Sequence, residues 1–129
     1  MATDILIVDD EADIRKIIAG ILQDEGYTTR EAGNSAEALQ MLSRHNEISI
    51  MITDVNMPGQ MNGLGLIAQV RCDHPDIRSI VVSGHSSAVE ASKAGATGFL
   101  PKPYMAQTMV QAVLDTVRRH LAEPKSAFH

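Results

Sequence analysis

Short apolar runs in this chain end in residues that can do chemistry. Ile5-Leu6-Ile7-Val8 runs into Asp9-Asp10, and the stretch Ile48 to Thr53 runs into Asp54. Ile80-Val81-Val82 ends at Ser83-Gly84, and Phe99-Leu100 is followed by Pro101-Lys102-Pro103. If each run is a strand of one parallel sheet, three carboxylates, a hydroxyl and an amine meet at the carboxyl edge, where open α/β sheets bind ligands. Carboxylates held that close repel one another, more strongly when buried. A divalent cation or shared protons would relieve the strain. An all-oxygen set suits Mg²⁺, with Mn²⁺ as a substitute, whereas zinc fits poorly because His85 is the nearest nitrogen ligand.

A carboxylate can act as a nucleophile toward phosphorus and form an acyl phosphate. Attack spreads charge over three equatorial oxygens, which need counter-charge already in place. A divalent cation, the Lys102 ammonium and the Ser83 hydroxyl would supply it, and Gly84 would leave room for the backbone to approach. Taken singly, each residue has a plainer reading. Asp9-Asp10 can cap a helix, Asp54 can be a turn acid before Pro58-Gly59, Ser83 can be an N-cap, and Lys102 a solvated loop lysine. Their joint placement at four strand ends favours a phosphoryl-accepting site.

The elements needed to position these residues are legible from periodicity. Ile14, Ile17, Ile18, Ile21 and Leu22 mark an amphipathic helix that stops at Gly26. Tyr27 to Glu31 alternates weakly, as a second and more exposed strand would. Asn34 and Glu37 resemble a capping box ahead of a helix buried through Ala38, Leu39 and Leu42. Met57 to Gly63 is a Pro- and Gly-bearing loop. Leu66, Ile67 and Val70 mark a helix closed by Pro75, and Ser86 to Ala94 forms a weaker one. Met109, Val113, Val117 and Leu121 give the last helix its stripe. Strands alternating with helices of this length imply an α/β fold, a parallel sheet covered on both faces.

Composition narrows the function classes. The 129 residues suit one domain, expected over 1–122 with a short tail at 123–129. A net charge of −5 without basic tracts disfavours a nucleic-acid binder. The single cysteine, Cys72, permits no internal disulfide, and no apolar run reaches membrane-spanning length. A cytoplasmic location without membrane insertion is expected. His45, His74, His120 and His129 have no partner at ligand spacing, Cys72 is a packing or surface residue, and Met51 and Met109 suit the core.

The segments Ile7-Val8-Asp9-Asp10-Glu11, Asp54-Val55-Asn56-Met57-Pro58-Gly59, Ser83-Gly84 and Pro101-Lys102-Pro103 resemble those of response-regulator receiver domains of two-component signalling. The resemblance covers essentially the whole chain. It implies a doubly wound, flavodoxin-like five-stranded parallel sheet in order 2-1-3-4-5 with five helices. It also implies the roles. Asp54 would be the phospho-acceptor, Asp10 a direct Mg²⁺ ligand, Asp9 a ligand through water, and the Asn56 backbone carbonyl the last protein ligand. Ser83 and Phe99 would be the switch pair and Lys102 the phosphate-contacting lysine, with a cis Lys102–Pro103 bond aiming it. Asn56 and His85 would modulate the attack of water on the phosphoryl group, although His85 reads equally as a solvent-facing loop residue.

Two departures from the family stand out. The loop from Pro58 to Gly63 is one residue longer than the commonest spacing, as in receivers associated with hybrid sensor kinases. The stretch from Ser83 to Lys102 is shorter than usual, which shortens the fourth helix. The resemblance implies a histidine kinase or histidine phosphotransfer protein as phosphodonor and a downstream protein partner that the sequence does not name. It also implies a monomer or weak dimer with no output domain, taking phosphate onto itself rather than turning over an external substrate. Two other functions compete. An aspartate-nucleophile phosphatase would need an acid two residues after Asp54, where Asn56 stands. A receiver-like interaction module that never carries phosphate is disfavoured by the intact set Asp9, Asp10, Asp54, Ser83 and Lys102.

Overall fold

Runs rich in β-branched residues, each bounded by turn chemistry, form the centre of the molecule. The computed structural model describes residues 4–55, 61–84 and 88–122. In chain order these form β1 (Asp4–Val8), α1 (Ala12–Asp24), β2 (Thr28–Ala32), α2 (Ser35–Arg44) and β3 (Ile48–Asp54). There follow α3 (Gly63–Asp73), β4 (Arg78–Ser83), α4 (Ala88–Ala94), β5 (Gly98–Pro101) and α5 (Ala106–Ala122). The strands make one sheet in the order β2-β1-β3-β4-β5, and every pairing is parallel. The expected sheet order and the short fourth helix are both observed.

Alternation along the strands divides the core into two faces. Ile5 and Ile7 of β1, Ile50 and Ile52 of β3, and Ile80 and Val82 of β4 pack with Ile18 and Leu22 of α1 and Met109 and Val113 of α5. Leu6, Val8, Met51 and Val81 face the other way, against Leu42 of α2, Leu66 and Val70 of α3, and Ala91 of α4. Because both faces are covered, the central strands read as continuous apolar runs rather than alternating ones. β2, at the edge, is the polar exception.

Several boundaries differ from the sequence reading, each for a physical reason. Tyr27 lies outside β2; its N–H caps the end of α1 by donating to the Leu22 carbonyl, and its ring packs on the α1/α5 face. Ile17 belongs to the expected apolar face of α1 but is 59% exposed. The buried ridge runs through Ile14, Ile18 and Leu22, one residue per turn, and Ile17 turns away from the sheet. The Asn34 side chain caps α2 by accepting from the Glu37 N–H at 2.9 Å. The return bond of the box is displaced, since Glu37 Oε1 accepts from the Gly33 N–H rather than the Asn34 N–H, while Oε2 accepts from Asn34 Nδ2 at 3.4 Å. The backbone of α4 begins at Ala88, and Ser86 and Ser87 lie outside the described residues. So do the tail from 123 onward and the side chain of Leu121.

Candidate functional site

The carboxyl ends of β1, β3, β4 and β5 lie side by side, and their registers place the candidate residues together. Val8 pairs with Thr53, Asp54 with Val82, and Ser83 with Pro101. The chain therefore delivers Asp9 and Asp10 after β1, Asp54 as the last residue of β3, Ser83 as the last of β4, and Lys102 just after β5. Carboxylate oxygens of Asp9, Asp10 and Asp54 lie within 4.8 Å of one another. Asp9 is 4% exposed and Asp54 9%, while Asp10 is exposed.

Lys102 supplies the positive charge. Its Nζ donates to Asp54 Oδ2 at 2.9 Å, and its N–H donates to the Ser83 carbonyl at 2.9 Å, which binds the loop to β4. The Lys102–Pro103 peptide is cis, as expected. Burial works against the ammonium charge. The hydrogen bond that Lys102 donates to Asp54 and the charges of Asp54 and Asp9 outweigh it and hold Lys102 above the ordinary lysine pKa. Asp9 is raised as well, but for an acid this disfavours the charged form. Burial pushes its carboxyl up from the usual range and the charges of Asp54 and Asp10 add to this, against the Glu11 N–H and Lys102. The ionised form of an acid raised first by burial and then by like-charged neighbours is favoured by added positive charge nearby. Three convergent carboxylates and no nitrogen or sulfur ligand among them fit a hard divalent cation such as Mg²⁺.

The geometry bears on two of the plainer readings. Glu11, not Asp9 or Asp10, is the N-cap of α1, and it makes no side-chain cap bond. Asp9 Oδ1 instead accepts from the Glu11 N–H at 2.9 Å. Ser83 ends a strand and precedes the first residue of α4 by several positions, too far to cap it; it is 1% exposed. Strand alternation puts Ser83 on the same face as Val81. Val81 pairs with Phe99, and the half-buried Phe99 ring packs on that α3/α4 face. The two expected switch residues thus share one face of adjacent strands. Among the described residues, a Cβ on Gly84 would meet Lys102 Cβ at 3.7 Å, an ordinary van der Waals contact. Asn56 and His85, expected to modulate the site, lie outside the described residues, as do Met57, Pro58 and Gly59.

Three contributors had no sequence signal strong enough to single them out. Gly63, the first residue of α3, lies against the Asp54 backbone, and its N–H donates to the Val55 carbonyl at 2.9 Å. A glycine opening a helix behind the capping residue Asn62 was the available clue. Arg15 reaches from α1 to the Asp9 carbonyl at 2.7 Å. Tyr104, half-buried on the α1/α5 face, has its phenol pushed up by burial first; Lys102 opposes this, and the charges of Asp9 and Asp54 add to it.

The family model described as the response regulator receiver domain matches residues 5–114. The sequence is 43% identical over 105 residues to a putative response regulator NtrX-like from Rickettsia bellii, which covers 78% of this chain but only 22% of that protein. It is 37% identical over 115 residues to the chemotaxis protein CheY of Pseudomonas aeruginosa, covering 84% of this chain and 91% of that one. The chain thus spans about a quarter of the length of the first NtrX relatives, at 22% and 27%. Among solved structures, the CheY-like response regulator receiver domain protein from Methanospirillum hungatei superposes with a TM-score of 0.89 at 25% identity. That match covers 96% of this chain and all of the other. No helix among the described residues is long and apolar enough to cross a membrane.

Proposed function

The chain belongs to the response regulator receiver domain family of two-component signalling, and from that premise we propose that Asp54 is its phospho-acceptor. The observation that carries the reading is the Lys102 Nζ bond to Asp54 Oδ2 at 2.9 Å, beside the Asp9 and Asp10 carboxylates. Asp54 is the acid that both the lysine and the acidic pair address, so it is the one that can be attacked through and neutralised at once.

In this reading the donor is a phosphohistidine on a histidine kinase or histidine phosphotransfer protein. An Asp54 carboxylate oxygen attacks phosphorus; the O–P bond forms as the P–N bond breaks, and the departing imidazole nitrogen takes up a proton. Asp10 and Asp54, with the Asn56 carbonyl, would hold Mg²⁺ directly, and Asp9 through water. The ion supplies charge neutralisation for the phosphoryl oxygens. Lys102 exchanges its carboxylate contact for a phosphoryl oxygen, and Ser83 donates its hydroxyl to another. Movement of Ser83 toward the new charge opens space on the face it shares with Phe99, which couples phosphorylation to the surface around α4 and β5. A protein that recognises this surface would receive the signal. The domain takes up one phosphoryl group and loses it by hydrolysis, which is not turnover of an external substrate.

Incubation with acetyl phosphate and Mg²⁺, followed by intact mass measurement, should add one phosphoryl group to the parent chain and none to Asp54→Asn. Equal labelling of Asp54→Asn would end the assignment. Omission of the divalent ion should abolish labelling of the parent.

A further inference from the structure

Asp9 is the first residue beyond β1, and three separate bonds hold it. Its N–H donates to the Ala32 carbonyl of β2 at 3.1 Å. Its Oδ1 accepts from the Glu11 N–H at 2.9 Å. Its carbonyl, which heads the peptide leading to Asp10, accepts from Arg15 Nη1 at 2.7 Å. Arg15 is itself oriented by Glu31 of β2, whose Oε1 accepts from Arg15 Nε at 3.1 Å. One planar guanidinium therefore ties the end of β1 to the neighbouring strand through two different nitrogens, a geometry lysine has no means of copying.

The Asp10 side chain lacks any such support. Among the described residues it makes no hydrogen bond or ion pair, and it is exposed. Among the described residues, what holds it is its backbone, which fixes the Cα–Cβ bond from which the carboxylate extends. The Asp9–Asp10 peptide plane fixes where the Asp10 Cα stands, and Arg15 fixes the oxygen of that plane. Among the described residues Arg15 forms no ion pair with Asp9, Asp10 or Asp54, so it acts on the acidic site only through the peptide. The Arg15–Glu31 pair is partly solvated, with side chains 18% and 31% exposed. Pairs of that kind contribute little to stability on their own. What the geometry supplies is orientation.

We propose that Arg15, backed by Glu31, is a positioning residue that preorganises the Asp10 carboxylate for a divalent cation. The role rests on reading Asp9, Asp10 and Asp54 as the cation site. A preorganised ligand set loses less conformational freedom on binding the ion, and groups that orient metal ligands commonly change metal affinity about tenfold or more when removed. The effect should fall on affinity rather than on the chemical step, because Arg15 touches no reacting atom.

The test is a calorimetric titration of the full chain with Mg²⁺ alone, paired with the rate of labelling by acetyl phosphate as a function of Mg²⁺. Arg15→Ala should raise the half-saturating Mg²⁺ concentration about tenfold and leave the rate at saturating Mg²⁺ within about twofold of the parent. Arg15→Lys should fall between the two, and Glu31→Gln should shift affinity the same way by less. A parallel fall in the saturating rate would mark a general structural defect and overturn the role. So would unchanged Mg²⁺ affinity in Arg15→Ala, or a lysine variant that binds Mg²⁺ as tightly as the parent. Should Arg15→Ala fail to fold, the Lys and Glu31→Gln variants decide the matter. A parent chain that does not bind Mg²⁺ would instead overturn the cation site itself, and this role with it.

Discussion

A side chain on Gly63 would collide with the backbone carbonyl oxygen of Asp54: its Cβ would stand 2.8 Å from the Asp54 carbonyl carbon and 2.9 Å from the Val55 Cα. The first turn of α3 is thus seated directly on the strand end that carries the acceptor. No flexible side chain stands between them to give way.

Gly63→Ala should therefore force α3 and the end of β3 apart, destabilising the fold by about 2 kcal/mol and slowing phosphorylation of Asp54. Gly20 in α1 is the control, because a Cβ there meets nothing within 4 Å. Gly20→Ala should stabilise by about 0.5–1 kcal/mol, since alanine loses less backbone freedom in a helix. Urea unfolding of both variants checks the pair; equal effects would remove the steric argument.

Lys102 and a divalent cation compete for the same carboxylate, because the ammonium already sits on Asp54 Oδ2. Lys102→Gln should make the two readouts diverge. Mg²⁺ should bind several-fold more tightly once a like charge is gone. Phosphorylation at saturating Mg²⁺ should slow by about tenfold or more, for want of the charge that meets the phosphoryl oxygens. Calorimetry and labelling rates measured on the same preparation test both halves.

Asp9 should make the metal-free domain less stable as it ionises. Its folded pKa is raised above the ordinary 3.8, by burial first and then by Asp54 and Asp10. The stability it contributes is present below about pH 3.8 and lost as pH rises through the raised value. Asp9→Asn should accordingly melt a few degrees higher than the parent at pH 7 without divalent ions. The gap should close on acidification, and Mg²⁺ should narrow it by stabilising the parent. Thermal unfolding followed by circular dichroism across this pH range is the measurement.

Asn34→Ala should cost about 1 kcal/mol by leaving the Glu37 N–H at the start of α2 without its cap. Glu37 also accepts from Gly33 N–H, so Glu37→Ala should cost stability of its own, but the Asn34 Nδ2 bond to Glu37 Oε2 at 3.4 Å should make the double variant lose less than the sum of the two. A double-mutant cycle on unfolding free energies reads the coupling.

Much of the fold was legible because its central strands are buried on both faces and advertise themselves as unbroken apolar runs. Ile5–Val8, Ile48–Thr53, Ile80–Val82 and the short Phe99-Leu100 could be placed without any structure, and Asp9, Asp10, Asp54, Ser83 and Lys102 followed as what stands at their ends. β2 was faint, since an edge strand reading Thr-Thr-Arg-Glu-Ala buries little. The outward turn of Ile17 was hidden too, because a helix with five isoleucines and leucines does not say which of them meets the sheet.

The sequence by itself determined which residue types end each strand, and so the class of chemistry available: carboxylates, a hydroxyl and an amine, each at the end of an apolar run. Those are local facts, written in hydrophobic patterning that any parallel sheet must obey. Only the tertiary structure decided that Lys102 rests on Asp54, that Gly63 lies against the same residue's backbone, and that Arg15 and Glu31 brace the peptide leading to Asp10. These contacts join residues up to 48 positions apart in the chain. Neither periodicity nor propensity carries that information; it arises when strand order and register bring distant loops to one edge of the sheet.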